Sequence, residues 1–198
     1  MSRADAASRQ ARAEHLAELL GGRPLVLVGM MGAGKTTVGR RVAGRLGRHF
    51  LDSDEEIERA AQMTIPEIFE QHGEGEFRSG ETRVIARVLK DTDIVLATGG
   101  GAFVNADTRT LVKAEAISVW LRAEADILFE RVSRRSNRPL LKTANPRATL
   151  EKLIEERYPL YAEADITVPS RDVPQDVVAG DVIDAVIGFL QRQAPSTS

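Results

Sequence analysis

The strongest constraint on this chain is an octapeptide, Gly29-Met30-Met31-Gly32-Ala33-Gly34-Lys35-Thr36, set directly behind an apolar run. The run, Arg23 to Gly29 (RPLVLVG), has the uninterrupted hydrophobic pattern of a strand buried on both faces. The octapeptide satisfies G-x-x-x-x-G-K-[ST], and Thr36 to Leu46 reads as a helix closed by Gly47. Glycines let successive backbone N–H groups turn around phosphate oxygens where a Cβ would obstruct the approach. The helix directs its positive end at the same anion. Lys35 supplies a mobile cation to the outer phosphates, and the Thr36 hydroxyl suits Mg²⁺. Such a match arises by chance on the order of once per hundred chains of this size. Chance does not also supply the strand before it and the helix after it. The segment predicts a purine nucleotide site at a strand-to-helix turn.

A strand covered on both sides needs layers, and the rest of the chain supplies them. Apolar runs at His49–Asp52, Asp93–Thr98, Ala116–Leu121 and Asp165–Val168 alternate with helical patterns near 74–90, 123–134, 147–158 and 176–191. That alternation, with short Gly-marked turns, implies a parallel sheet with helices on both faces. A chain of 198 residues has room for one core and a small appended lid, not for two cores. An Ala-rich helix from Asp5 to Leu20, with Leu16, Leu19 and Leu20 on one side, is set apart as an N-terminal extension over 1–22. The domain proper then spans 23–193, and 194–198 form a disordered tail. The net charge of -2 argues against a nucleic-acid binder. The absence of cysteine excludes disulfides, cysteine metal sites and thiol catalysis, and points to a reducing cytoplasm. No apolar stretch approaches the roughly 20 residues that cross a bilayer, and charged residues from Arg3 to Glu18 interrupt any signal core. A soluble cytoplasmic monomer with neither membrane nor nucleic-acid partner is expected.

No [NT]-K-x-D occurs, so the guanine-reading element of switch GTPases is missing, and no strand carries the Asp-Glu ending of large ATPase motors. Small-molecule or nucleotide kinases remain; they need a second site, a metal-holding carboxylate and a cover that excludes water. Asp52-Ser53-Asp54 ends the second strand, and residues i and i+2 share a face, so both carboxylates can look into the cleft. Ser53-Asp54-Glu55-Glu56 reads equally well as a capping box with Ser53 as N-cap, which leaves only Asp52 unexplained. Glu74 to Glu81 opens a helix whose core face is Phe77, Val84, Ile85 and Val88. Spacing alone makes Arg78 and Glu81 a surface ion pair worth under about 1 kcal/mol. Gly80 costs about 1 kcal/mol relative to Ala there and marks close packing or a bend. Thr98-Gly99-Gly100-Gly101-Ala102 ends the third strand, where α/β sheets open toward ligand.

From Arg131 to Arg147 the charged residues are Arg131, Arg134, Arg135, Arg138, Lys142 and Arg147, with no acid between them. This excess asks for an anionic partner and suits a loop that closes over ATP phosphates. Asn145-Pro146 starts the next helix. Pro159, in Arg157-Tyr158-Pro159-Leu160-Tyr161, must kink or end that helix and can so aim Arg157 into the cleft; packing alone equally explains the Tyr and Leu. His15, His49 and His72 lack metal-ligand spacing, and Trp120 reads as core.

Taken in order, GMMGAGKT, DSD, EFRxxE, GGG, RPLL and RxPLY resemble shikimate kinase, from about Leu25 to Ile187. The resemblance implies an α/β, three-layer P-loop kinase fold with a five-stranded parallel sheet in the order 2-3-1-4-5. Flanking helices would include substrate-binding helices over about 53–81, with a mobile lid over about 131–147. It implies transfer of the ATP γ-phosphoryl group to the 3-hydroxyl of shikimate, in chorismate and aromatic amino acid biosynthesis, with Mg²⁺ as cofactor. Gly32, Ala33, Gly34, Lys35, Thr36 and Thr37 would cradle the phosphates; Thr36 would bind Mg²⁺, and Asp52 would hold it through water. Asp54 would bond the acceptor hydroxyls and act as base. Arg78 and Arg157 would grip the acceptor carboxylate, as planar forks suit a carboxylate better than Lys does. Glu81 would orient Arg78, which reverses the reading from spacing alone. Gly99, Gly100 and Gly101 would approach the acceptor; Arg138 would reach the phosphates from the lid; Arg131 and Pro174 would sandwich adenine. The competing readings are a gluconate-type sugar-acid kinase and a non-catalytic nucleotide-binding regulator.

Overall fold

In the computed structural model, which describes residues 3–134 and 143–193, β1 (Leu25–Val28) has every side chain buried. A strand with helices on both faces must be apolar throughout, as this one is. It lies at the centre of a five-stranded sheet in the order β2-β3-β1-β4-β5, with β2 at His49–Asp52, β3 at Ile94–Ala97, β4 at Ile117–Arg122 and β5 at Ile166–Pro169. All four pairings are parallel, and Leu25 stands opposite both Val95 and Ile117. This is the expected strand order, and it fixes the site. The segments that follow β1, β2 and β3 are far apart in sequence, yet they leave the same edge of the sheet side by side. The root of the glycine loop is tied to β1 directly: the Thr98 N–H and hydroxyl both donate to the Leu27 carbonyl, each at 3.1 Å.

The helices are α1 (Arg3–Leu20), α2 (Lys35–Leu46), α3 (Ser53–Ala61), α4 (Ile65–Val88), α5 (Ala106–Glu115), α6 (Ala125–Ser133), α7 (Pro146–Tyr161) and α8 (Gln175–Gln193). Helix α1 packs on α2 and α8, and its Ala13, Leu16 and Leu20 are buried in the same core as β1. Arg9 and Arg12 pair with Asp176 and Asp184 of α8, each at 3.2 Å. Separate from that core is a small cluster of Ile57, Ile68 and Phe77, where α3 closes on the first part of α4. Phe69, half out in solvent, stacks against Phe77 with ring centroids 4.5 Å apart.

Two backbone expectations need correction. The break in α4 falls at Gly73 (φ 75°, ψ 175°), not at Gly80, where an added Cβ would meet nothing nearer than Arg83 Nη2 at 3.9 Å. Gly80 therefore marks neither a bend nor a close approach. Pro159 does not end α7, which continues to Tyr161. The ring falls in the last turn on the exposed side, so the one hydrogen bond it deletes belongs to a carbonyl that water can reach.

Candidate active site

The phosphate-binding loop joins β1 to α2 and holds three glycines at positive φ, Gly29, Gly32 and Gly34. Gly29 has φ 135°, with the Leu121 carbonyl 2.8 Å from where a Cβ would sit, and Gly34, the N-cap of α2, has φ 93°. Gly34 offers no side-chain cap, so the first amides of α2 are left for a ligand. Lys35, Thr36 and Thr37, which carry those amides, line a cavity of about 430 Å³ together with Asp52, Asp54 and Gly99. The Lys35 ammonium is buried and donates to the carbonyls of Gly29 (2.7 Å) and Met30 (2.9 Å). The cation is thus held against the loop, where an incoming phosphate would compete for it.

At the end of β2 the expected cap is displaced by one residue. Asp52, not Ser53, is the N-cap of α3, and its Oδ1 accepts from the Asp54 N–H at 3.1 Å. Its Oδ2 accepts from the Thr36 hydroxyl at 2.9 Å, so one carboxylate both starts the helix and touches the phosphate loop. Ser53 Oγ instead accepts from the Gly99 N–H at 2.8 Å, joining the DSD turn to the glycine loop. Glu56 faces away and pairs with Arg59 and Arg87.

Glycines 99–101 form a surface against which the charged groups are laid. A Cβ on Gly99 would lie 2.5 Å from Asp54 Oδ1 and 3.2 Å from Glu81 Oε1; one on Gly101 would lie 2.5 Å from Arg78 Nη2. Arg78 donates to Glu81 at 2.7 Å, and the Glu81 side chain is 1% exposed. This is a buried carboxylate holding a half-buried guanidinium, not the surface pair that spacing alone suggests. From the other side Arg157 donates to the Gly100 carbonyl at 3.3 Å, beside a buried Tyr161 whose hydroxyl donates to the same oxygen. Arg78, Glu81 and Arg157 are not walls of the 430 Å³ cavity; they gather on the glycine loop that borders it. A larger cavity of about 560 Å³ between α3 and α4 meets Phe77, Gly80, Val84 and Arg87, and none of the acid-gripping residues.

On the nucleotide side, Arg131 donates to Ser170 Oγ (2.9 Å) and to the Arg171 carbonyl (2.7 Å), bridging α6 to the turn after β5. Pro174 sits exposed in that turn and does not line the cavity. Its neighbour Gln175 does, with a buried Oε1 that has no hydrogen-bond partner among the described residues and stands 2.6 Å from where a Gly34 Cβ would be. Sequence reasoning missed Gln175 because no motif carries it; its one signal was its place beside Pro174. The basic run is less unbalanced than it reads, because acids just outside it reach in. Arg134 pairs with Glu130, and Arg147 with Asp126 and Glu151. Arg138 lies outside the described residues, as do the other residues of 135–142 in the lid expected over 131–147.

The model of a family described as shikimate kinase matches residues 31–187. The chain belongs to the shikimate kinase family. A shikimate kinase of Rhodopseudomonas palustris is 56% identical over 96% of this chain and 94% of its own. A structure of the Acinetobacter baumannii shikimate kinase in complex with shikimate is 40% identical, with a TM-score of 0.79 over 91% of this chain and 99% of that one. A gluconokinase from Sinorhizobium meliloti shares the fold at a TM-score of 0.62, but only 15% of the residues.

For a shikimate kinase the metal question has a narrow answer. Among the described residues no three His, Cys, Asp or Glu side chains converge as a cation cage. Thr36 and Asp52 nonetheless offer two hydrogen-bonded oxygens beside the phosphate loop. That sparse oxygen set fits Mg²⁺, which keeps several waters and takes one or two protein ligands plus substrate phosphates.

Glu81 also carries a pH signature. Burial pushes its carboxyl above the ordinary range, against the opposing pull of Arg78, with the charge of Asp54 adding to the rise. As pH falls the folded chain takes up this proton before the unfolded chain does, so the folded state binds more protons and stability falls as pH rises across that interval. Urea midpoints for the wild type and Glu81→Gln, compared from pH 4.5 upward, should diverge, with the wild type losing ground as pH rises. Parallel curves would show that Glu81 titrates as it does in water.

Proposed function

We propose that this chain is an ATP-dependent kinase that transfers the γ-phosphoryl group of ATP to the 3-hydroxyl of shikimate, giving 3-phosphoshikimate and ADP. The observation that carries this reading is one short glycine loop with Asp54, Arg78 and Arg157 against it, rooted on the strand that leads into the phosphate-binding loop. Two guanidinium groups about one loop suit a carboxylate, and a carboxylate beside them suits a hydroxyl. The shikimate complex of the relative that is 40% identical supports the same acceptor.

In this reading the triphosphate lies over residues 32–37, with amides of the first turn of α2 and Lys35 on its oxygens. Mg²⁺, held by Thr36 directly and by Asp52 through water, would supply charge neutralisation at the outer phosphates. Arg78, braced by Glu81, and Arg157 hold the acceptor carboxylate and so fix which hydroxyl faces the phosphate. That oxygen forms a new bond to the γ-phosphorus, the bond to the ADP oxygen breaks, and Asp54 takes the hydroxyl proton. Most of the acceleration comes from alignment and from the fixed cations, as a loose phosphoryl-transfer transition state requires. All these groups come from one chain, and we assign the activity to the monomer. Arg131 is assigned to the adenine end, with Pro174.

A coupled ADP-release assay with shikimate and with gluconate tests the reading; turnover with gluconate alone would overturn it. Arg157→Lys should raise the shikimate KM about tenfold or more while the ATP KM stays within about twofold, because one planar fork is lost. Equal changes in both constants would contradict the assignment.

A further inference from the structure

We propose that Tyr161 is a positioning residue for the acceptor: its hydroxyl satisfies the Gly100 carbonyl that Arg157 also reaches, so that the Arg157 guanidinium stays available for the carboxylate. Tyr161 lies one helical turn beyond Arg157 on α7, so the two side chains share a face. Its ring is fully buried beside Trp120, with centroids 6.0 Å apart, which leaves the hydroxyl little freedom of direction. That hydroxyl donates to the Gly100 carbonyl, the same oxygen that the Arg157 guanidinium reaches, and lies 3.7 Å from Met30 Sδ in the phosphate loop. One phenol oxygen therefore touches both loops of the site, at a carbonyl it shares with the arginine.

The chemistry turns on who satisfies Gly100. Arg157 also donates to that carbonyl, at 3.3 Å. With Tyr161 present the carbonyl has a short-range neutral donor, and the guanidinium retains donors for a ligand. Without the hydroxyl, Arg157 is the remaining side-chain donor seen at that oxygen, and the guanidinium is drawn onto the loop and away from the acceptor. Burial pushes the phenol up to about 12, so it remains a donor throughout the neutral range. Neither the phosphate chemistry nor the carboxylate grip assigned above uses this residue, and a buried tyrosine could have been packing alone.

The inference rests on the proposed acceptor, and the test separates the two. Tyr161→Phe keeps the ring and removes only the hydroxyl. With shikimate as the varied substrate, its KM should rise about tenfold, near the upper end of what one neutral hydrogen bond is worth. The ATP KM should stay within about twofold and kcat within about threefold. Arg157→Lys, measured in both backgrounds, should cost much less in the Tyr161→Phe chain than in the wild type, since the two substitutions damage one arrangement. A urea unfolding transition of the variant that stays single and keeps the wild-type slope, with far-UV and near-UV circular dichroism unchanged, confirms an intact fold. Additive costs, equal shifts in both KM values, or an unchanged shikimate KM would each overturn the role of Tyr161 while leaving the kinase assignment standing. A wild-type chain that neither binds nor turns over shikimate would overturn both.

Discussion

Asp54→Asn should lower kcat by about 10²-fold or more with the ATP KM near its original value. The amide has almost the shape of the carboxylate and sits on the same first turn of α3, so the Asp52 cap that orients it is retained. What is lost is the capacity to accept the hydroxyl proton as the new bond to phosphorus forms. Single-turnover kinetics with the nucleotide saturating would report this loss directly, because binding and product release are then removed from the measured rate. A kcat within a few-fold of wild type would reduce Asp54 to a group that orients the acceptor without taking its proton.

Gly99→Ala should be nearly as damaging, for a reason that owes nothing to backbone strain. Its new methyl would lie 2.5 Å from Asp54 Oδ1 and 3.2 Å from Glu81 Oε1. Asp54 is short and fixed at its root, so the carboxylate must swing out of the cleft rather than flex around the methyl. Glu81 is buried and bonded to Arg78, and has less room still. The expected result is a fall in kcat/KM for shikimate of about 10²-fold, with binding of ADP unchanged by calorimetry. Gly101→Ala makes the instructive contrast, since its methyl meets the far end of Arg78, a long side chain that can retreat at smaller cost. If both alanines were tolerated equally, the close contact with Asp54 would have no part in catalysis.

The parts legible in the sequence are those whose physics is local. The phosphate loop could be read because glycine, lysine and threonine must stand at fixed intervals between one strand and one helix, and no distant residue decides that. The strand order came from the resemblance, and the sheet follows it. Misreadings arose where a partner lay elsewhere in the fold. Ser53 has the composition of an N-cap, but Gly99 from the neighbouring strand takes its hydroxyl, and Asp52 caps the helix instead. Arg78 and Glu81 look like an ordinary surface pair until the glycine loop covers them, which spacing on one helix cannot reveal. The run Arg131–Arg147 reads as unbalanced because two of its acidic partners stand just before it, Glu130 one residue and Asp126 five residues ahead of Arg131. Gln175 had no pattern at all, because its meaning is its position over Gly34.

The small cluster of Ile57, Ile68 and Phe77 has a bearing on how this molecule would fail. It meets the main core only through the partly buried Val84 and is sheltered on one side by a phenylalanine that is itself 36% exposed. Elements held by so few apolar contacts open at lower free energy than the sheet does. Heating or mild denaturant would therefore fray the hairpin that carries Asp54 and Arg78 while the nucleotide pocket stays folded. Such a half-opened molecule would still grip ADP after it had lost its acceptor, so tight nucleotide binding is a poor certificate of an intact enzyme.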